Sequence, residues 1–167
     1  SYPIDPGMDG LEGSLTNWLN RGIDAVHGYQ PRLYEPVTLG ERTYVPMEVG
    51  EKLGYALLER SITGRYRIAH TSSGNAPFRC GVIEENGGKQ LLFQGRNTFG
   101  EIDRVQITLD RGYEYELKLP RKEVFFIHTG VDSRIPTGLA SVEQITLYDG
   151  EGQDITESFF MSMGGIQ

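Results

Sequence analysis

The residues best suited to chemistry are Glu114 and Glu116, in the run Tyr113-Glu114-Tyr115-Glu116-Leu117-Lys118-Leu119-Pro120-Arg121. The run alternates with period two and reads as a strand. Tyr113, Tyr115, Leu117 and Leu119 share one face; Glu114, Glu116 and Lys118 share the other. Two carboxylates on one face repel each other. That repulsion raises one pKa, and enclosure in a cleft raises it further, which is how acid–base pairs arise. The same pattern also describes a half-buried antiparallel strand with a polar outer face. The preceding Asp110-Arg111-Gly112 is an ordinary hairpin turn.

Other reactive side chains are scattered. His70-Thr71-Ser72-Ser73-Gly74-Asn75 gathers three hydroxyls where a strand gives way to a turn. Cys80 is the single cysteine, with His128 as a conceivable base. It falls mid-strand in Phe78-Arg79-Cys80-Gly81-Val82, with no helix N-terminus to lower its pKa. It therefore reads first as a small buried hydrophobe. His27, His70 and His128 show no metal-ligand spacing. Asp149, Glu151 and Asp154 lack the twelve-residue calcium-loop pattern and read as an acidic turn, so no metal is expected.

Composition narrows the field. With 16 Lys and Arg against 23 Asp and Glu, the 167-residue chain carries a net charge of −7. Nucleic-acid backbones and anionic membrane surfaces are poor partners for such a surface. A lone cysteine forms no intrachain disulfide. No run is long and apolar enough to span a bilayer, and no signal-peptide pattern follows Ser1. The 22 glycines favour many turns and short strands.

The elements that must position these residues follow from periodicity. Residues 1–8, with Pro3, Pro6 and Gly7, read as an extended arm, and residues 9–167 as one domain. Asp9 is the expected N-cap of a helix over 10–26, with Leu11, Leu15, Trp18, Leu19, Ile23 and Val26 on one stripe and His27-Gly28 ending it. A second helix is expected from Pro46, with Val49, Leu53, Ala56 and Leu57 buried and Gly64 beyond its end. Strands are expected at 65–70, 78–83, 89–93, 104–109, 113–119, 124–128 and 141–148. The class is α+β: N-terminal helices, then mostly antiparallel strands forming a split two-sheet core with a cleft.

The Glu-x-Glu run, its Leu117-Lys118-Leu119-Pro120-Arg121 tail and the apolar Val124-Phe125-Phe126-Ile127 resemble the Glu strand of bacterial mono-ADP-ribosyltransferase toxins and effectors of the Arg-Ser-Glu class. The resemblance implies an early-strand Arg that holds the NAD pyrophosphate and a Ser-Thr-Ser-like segment beside the nicotinamide. Thr71 or Ser72 would lead that segment, and Ala76-Pro77-Phe78 is similar to the small residue and aromatic that follow it in the family. Arg32 precedes Ser72 by 72 − 32 = 40 positions, and Glu116 follows by 116 − 72 = 44, a balance typical of the family. Arg42 is the rival. Glu116 would stabilise the oxocarbenium-like ribose cation, and Glu114 would orient or deprotonate the nucleophile.

The implied activity is transfer of ADP-ribose from NAD to a side chain, arginine in the Glu-x-Glu form, of a host or competitor protein. It would belong to a monomeric effector, secreted or delivered into the target-cell cytoplasm. One departure stands out. Only Asp110-Arg111-Gly112 occupies the place of the family's target-recognition loop, which leaves transferase and hydrolase both open. The alternative is a non-catalytic, β-sandwich-like module that binds carbohydrate or protein through exposed aromatics such as Tyr29, Tyr34, Tyr44 and Tyr66.

Overall fold

The computed structural model describes residues 1–21 and 28–164. The chain divides into two compact units, Ser1–Ala76 and Pro77–Gln167, where one domain over 9–167 was expected.

In the first unit, helix α1 (Leu11–Leu19) lies with five strands: β1 (Arg32–Leu33), β2 (Val37–Leu39), β3 (Arg42–Val49), β4 (Lys52–Arg60) and β5 (Tyr66–Gly74). The sheet order is β1-β3-β4-β5, with β2 also on β3, all antiparallel. Leu11 and Leu15 pack with Val45, Ala56, Leu58 and Tyr66. The N-cap is Gly10 at φ 82°, not Asp9, and no side chain caps it. The helix stops at Asn20, whose side-chain amide donates to Thr16 O and Tyr29 O while its Oδ1 accepts from Tyr29 N–H. Ile23, Val26 and His27, expected to continue and end this helix, lie outside the described residues.

The N-terminal arm is tied to the first unit. Ile4 is fully buried and bridges Tyr66 through two backbone hydrogen bonds. Arg65 ties the same segment down through Asp5 Oδ1, Tyr2 O and Pro3 O.

The helix expected from Pro46 is instead a β-hairpin. Strands β3 and β4 pair from Arg42↔Glu59 to Val49↔Lys52, around Gly50 at φ 62°. Pro46 is tolerated because it sits where the far edge of β3 passes from β1 to β2, at a break in that ladder. A helical stripe and an alternating strand share positions such as 49, 53 and 57, and here the strand pairing prevails.

The second unit is a two-layer antiparallel sandwich. One sheet runs β10-β7-β6-β11, from β6 (Phe78–Glu85), β7 (Gly88–Arg96), β10 (Val124–Val131) and β11 (Gly138–Leu139). The other runs β12-β8-β9, from β8 (Arg104–Leu109), β9 (Glu114–Lys118) and β12 (Val142–Tyr148). Phe78, Val82, Leu91, Phe93 and Phe125 of the first sheet meet Val105, Ile107, Leu109, Leu117 and Leu147 of the second in one core. Helix α2 (Thr156–Gly164), which the periodicity did not reveal, stacks Phe159 on Phe78 with ring centroids 5.6 Å apart. At its start, Asp154 Oδ1 accepts from the first helical N–H, that of Thr156, at 2.9 Å.

Two helices and twelve strands in three antiparallel sheets, among the described residues, make the chain an α+β protein with a multi-sheet core. Gly95 marks how tightly the sandwich closes, since a Cβ there would lie 2.5 Å from Phe78 and 2.7 Å from Phe125. Gly95→Ala should therefore cost roughly 1–3 kcal/mol by overpacking. Gly130→Ala, whose Cβ would meet only Gln90 Nε2 at 3.7 Å, should stay within about 0.5 kcal/mol of the parent. Urea denaturation followed by circular dichroism checks the pair; equal stabilities would refute this packing.

Candidate functional site

The strand that carries Glu114 and Glu116 forms as expected. Strand β9 pairs with β8 from Arg104↔Lys118 to Thr108↔Glu114, around a single 3-10 turn at Asp110–Gly112. Leu117 is buried in the core, and Tyr113 and Tyr115 pack against it. Glu114, Glu116 and Lys118 face solvent.

Registers across the three strands place Gln106 and Thr146 beside Glu116, Thr108 and Gln144 beside Glu114, and Arg104 and Tyr148 beside Lys118. The outer face is thus a grid of nine polar or aromatic side chains. Arg104 Nη1 donates to Glu116 Oε1 at 2.6 Å, and its guanidinium lies 3.8 Å over the Tyr148 ring. The Glu116 side chain remains 59% exposed. An exposed pair of this kind contributes about 0.2–1 kcal/mol.

The remaining residues of the expected NAD site are divided between the units. Arg32, Thr71 and Ser72 belong to the first, Phe78 to the second, so neither unit by itself assembles the set. Arg32 is exposed on the two-residue strand β1, with its guanidinium 5.5 Å from the Tyr34 ring centroid. Its rival Arg42 opens β3 opposite Glu59. Thr71 and Ser72 lie within β5 rather than at its end, and Trp18 Nε1 donates to Thr71 Oγ1 at 3.2 Å. Gly54 lets β5 approach, because a Cβ there would meet Ser72 O at 1.9 Å. Phe78 is a core residue, packed against Phe93, Phe125 and Phe159.

The other candidates resolve by face. Cys80 packs on the inner side of the β10-β7-β6-β11 sheet, and burial pushes its thiol up to about 12. His128 is exposed, with Nδ1 3.1 Å from Gln90 Oε1. Residue 127, not 128, packs inward on β10, so Cys80 and His128 project to opposite faces of one sheet. They cannot act as nucleophile and base. Asp149 Oδ1 accepts from the backbone N–H of Glu151 and Gln153, which makes it a turn residue. Among the described residues, no His, Cys, Asp and Glu cluster could hold a metal ion. Of the four tyrosines expected to form a binding surface, Tyr44 and Tyr66 are buried in the first unit.

The sequence did not point to the concavity at one end of the sandwich. A pocket of about 150 Å³ is lined by Leu109, Asp110, Arg111, Tyr113, Arg134, Ile135, Pro136, Leu139 and Ser141. Neither Glu114 nor Glu116 lines it. Its floor is apolar, since Leu109 and Ile135 are buried. Arg134 is clamped on Asp132, with Nε to Oδ1 and Nη2 to Oδ2 both at 2.9 Å. Asp132 N–H donates in turn to Tyr115 Oη at 2.9 Å. The one legible signal was Arg111 itself, an Arg where a Gly or Asn usually supplies a positive φ; its φ is 67°.

No family model matches the chain, and neither a curated protein nor a solved structure is significantly similar to it.

Two measurements check this geometry. Arg134's forked hydrogen bonds hold the Asp132 carboxyl down at about 2, against an ordinary 3.8. A depressed carboxyl pKa favours the folded state above the ordinary range, and that contribution is lost as pH falls through it towards 2. In an NMR titration, Asp132 should return to the ordinary range in Arg134→Ala; an unmoved midpoint would refute the clamp. Cys80 should resist iodoacetamide at pH 8 while the chain is folded and react once it is unfolded in urea, because the thiolate is the reactive form. Rapid alkylation of the folded chain would contradict the burial.

Proposed function

We propose that this chain is a non-catalytic, protein-binding module. The observation that carries this reading is the setting of the Glu-x-Glu pair. Both carboxylates stand on the solvent face of the β12-β8-β9 sheet, and Glu116 is paired with Arg104. Catalysis by such a pair draws on a dry, preorganised site in which charge is worth far more than in water. A charge on an open, solvated sheet face is screened and neutralised instead.

Protein fits better than carbohydrate as the ligand. Sugars favour free aromatic platforms, but Tyr148 is covered by Arg104, and Tyr44 and Tyr66 are core residues. Apolar anchors are present in their place. Phe99 is 87% exposed at the tip of a turn held by buried Asn97, whose side chain both donates to Ile102 O and accepts from Ile102 N–H. Rigidly presented aromatics are typical interface anchors.

A second reading, transfer of ADP-ribose from NAD to a target protein by a secreted effector, draws support from chain order. Arg32, Thr71 or Ser72, Phe78, and Glu114 with Glu116 fall in family sequence on β1, β5, β6 and β9. Glu116 and Glu114 would keep the roles the resemblance gives them, and NAD would be the substrate.

One paired experiment separates the two. A random peptide library panned on the folded chain should yield a saturable binder, while labelled NAD incubated with the chain and a cell lysate stays intact. Glu116→Gln should leave peptide binding and stability within about 1 kcal/mol of the parent, as for an exposed pair. NAD cleavage that disappears in Glu116→Gln would overturn the binding-module reading.

A further inference from the structure

We infer that the pocket at the end of the sandwich recognises a partner peptide, taking one phenyl-sized side chain and the carboxylate of a neighbouring Asp or Glu. This rests on the binding-module reading and names its ligand chemistry.

Size speaks first. A cavity of about 150 Å³ suits one benzene-sized group. Sites for free small molecules commonly measure about 300–1,000 Å³ and enclose most of the ligand. A single anchor side chain of a larger partner fits this pocket better. Its apolar wall is ready for one. Leu109 and Ile135 form the floor, Pro136 flanks them, and Leu139 stands at the rim 93% exposed. A leucine so exposed beside an apolar hollow gains contacts only when something fills it.

Charge speaks next. Arg134 is already matched by Asp132, and Asp110 Oδ1 accepts from its neighbour's backbone, Arg111 N–H. Among the described residues, the Arg111 guanidinium has no ion pair, hydrogen bond or ring contact. Its planar fork of donors fits a carboxylate in bidentate fashion. Lys89, beside the pocket, donates to Ile135 O and stands opposite Glu84 of β6. Among the lining residues, Arg111 and Arg134 against Asp110 give 2 − 1 = +1, in a chain of net charge −7. An anionic segment is therefore drawn to this end of the second unit.

The pocket is also preorganised, which lowers the ordering cost of binding. Leu109 N–H donates to Tyr113 O at 2.7 Å, Asp110 N–H to Ser141 O at 2.8 Å and Ile135 N–H to Asp132 O at 3.1 Å. The turn holds Arg111 at φ 67°, a conformation Arg seldom adopts, followed by Gly112 at φ 80°.

The test is an NMR titration of the full chain with the doubly capped peptide acetyl-Gly-Glu-Phe-Glu-Gly-amide. Shifts should centre on the amides of Arg111, Tyr113, Leu139 and Ser141. Arg111→Asn removes the charge yet suits the positive φ, so it should fold at least as well as the parent. It should weaken the peptide about tenfold or more, as loss of a charge-assisted hydrogen bond does. Leu139→Ala, at a nearly fully exposed site, should also weaken binding without loss of stability. Replacing the peptide's Glu by Gln, or its Phe by Ala, should do the same from the other side.

A library-derived peptide whose Kd is unchanged in both Arg111→Asn and Leu139→Ala would overturn the pocket assignment and leave the module reading standing. Failure of every panned peptide to bind would overturn the module reading itself. Displacement of the peptide by free phenylacetate at equal affinity would overturn the choice of a peptide over a small acid.

Discussion

A strand can offer only every second side chain to a core, and this constraint governs the second unit. Val105, Ile107 and Leu109 of β8 and Leu117 of β9 must be buried together for two sheets of four and three strands to form a sandwich. Arg104, Gln106, Thr108, Glu114 and Glu116 are then forced to the opposite face. A slip of one residue would reverse every assignment and put two carboxylates into the core. The chemistry open to Glu116 is thus set by the burial of Leu117 beside it. On that outer face its nearest strong partner is Arg104, which also lies over Tyr148.

The same alternation explains why so much of this unit was legible in the sequence. The β8–β9 hairpin, its Asp110-Arg111-Gly112 turn and the inward set Tyr113, Tyr115 and Leu117 follow from period two alone. Where two periods share positions, reading fails. Val49, Leu53, Ala56 and Leu57 satisfy a helical stripe, yet the Gly50 turn and pairing along Arg42–Val49 and Lys52–Arg60 make them a hairpin. The start of α2 was hidden for a different reason. The residue that accepts its first N–H is Asp154, in a segment that read as an acidic turn.

Sites depend on tertiary placement, and there the sequence said less. Glu114 and Glu116 were found as a pair, but a strand pattern does not say whether its polar face meets a dry pocket or bulk water. Cys80 and His128 look like a dyad on paper and stand on opposite sides of one sheet. The pocket draws on the β8–β9 turn, the segment after β10, β11 and Ser141, residues that no local period connects. It becomes visible only when the sandwich brings its loop ends together, as antiparallel sandwiches commonly do at their ends.

If recognition rather than catalysis is what this surface does, the chain should have no specific place for NAD. Isothermal titration of NAD into the folded chain measures that directly. No saturable heat is expected, in the parent and in Glu116→Gln alike. A saturable one-to-one isotherm that vanishes in Arg32→Ala or Glu116→Gln would contradict it and restore the Glu-x-Glu strand as the heart of an active site.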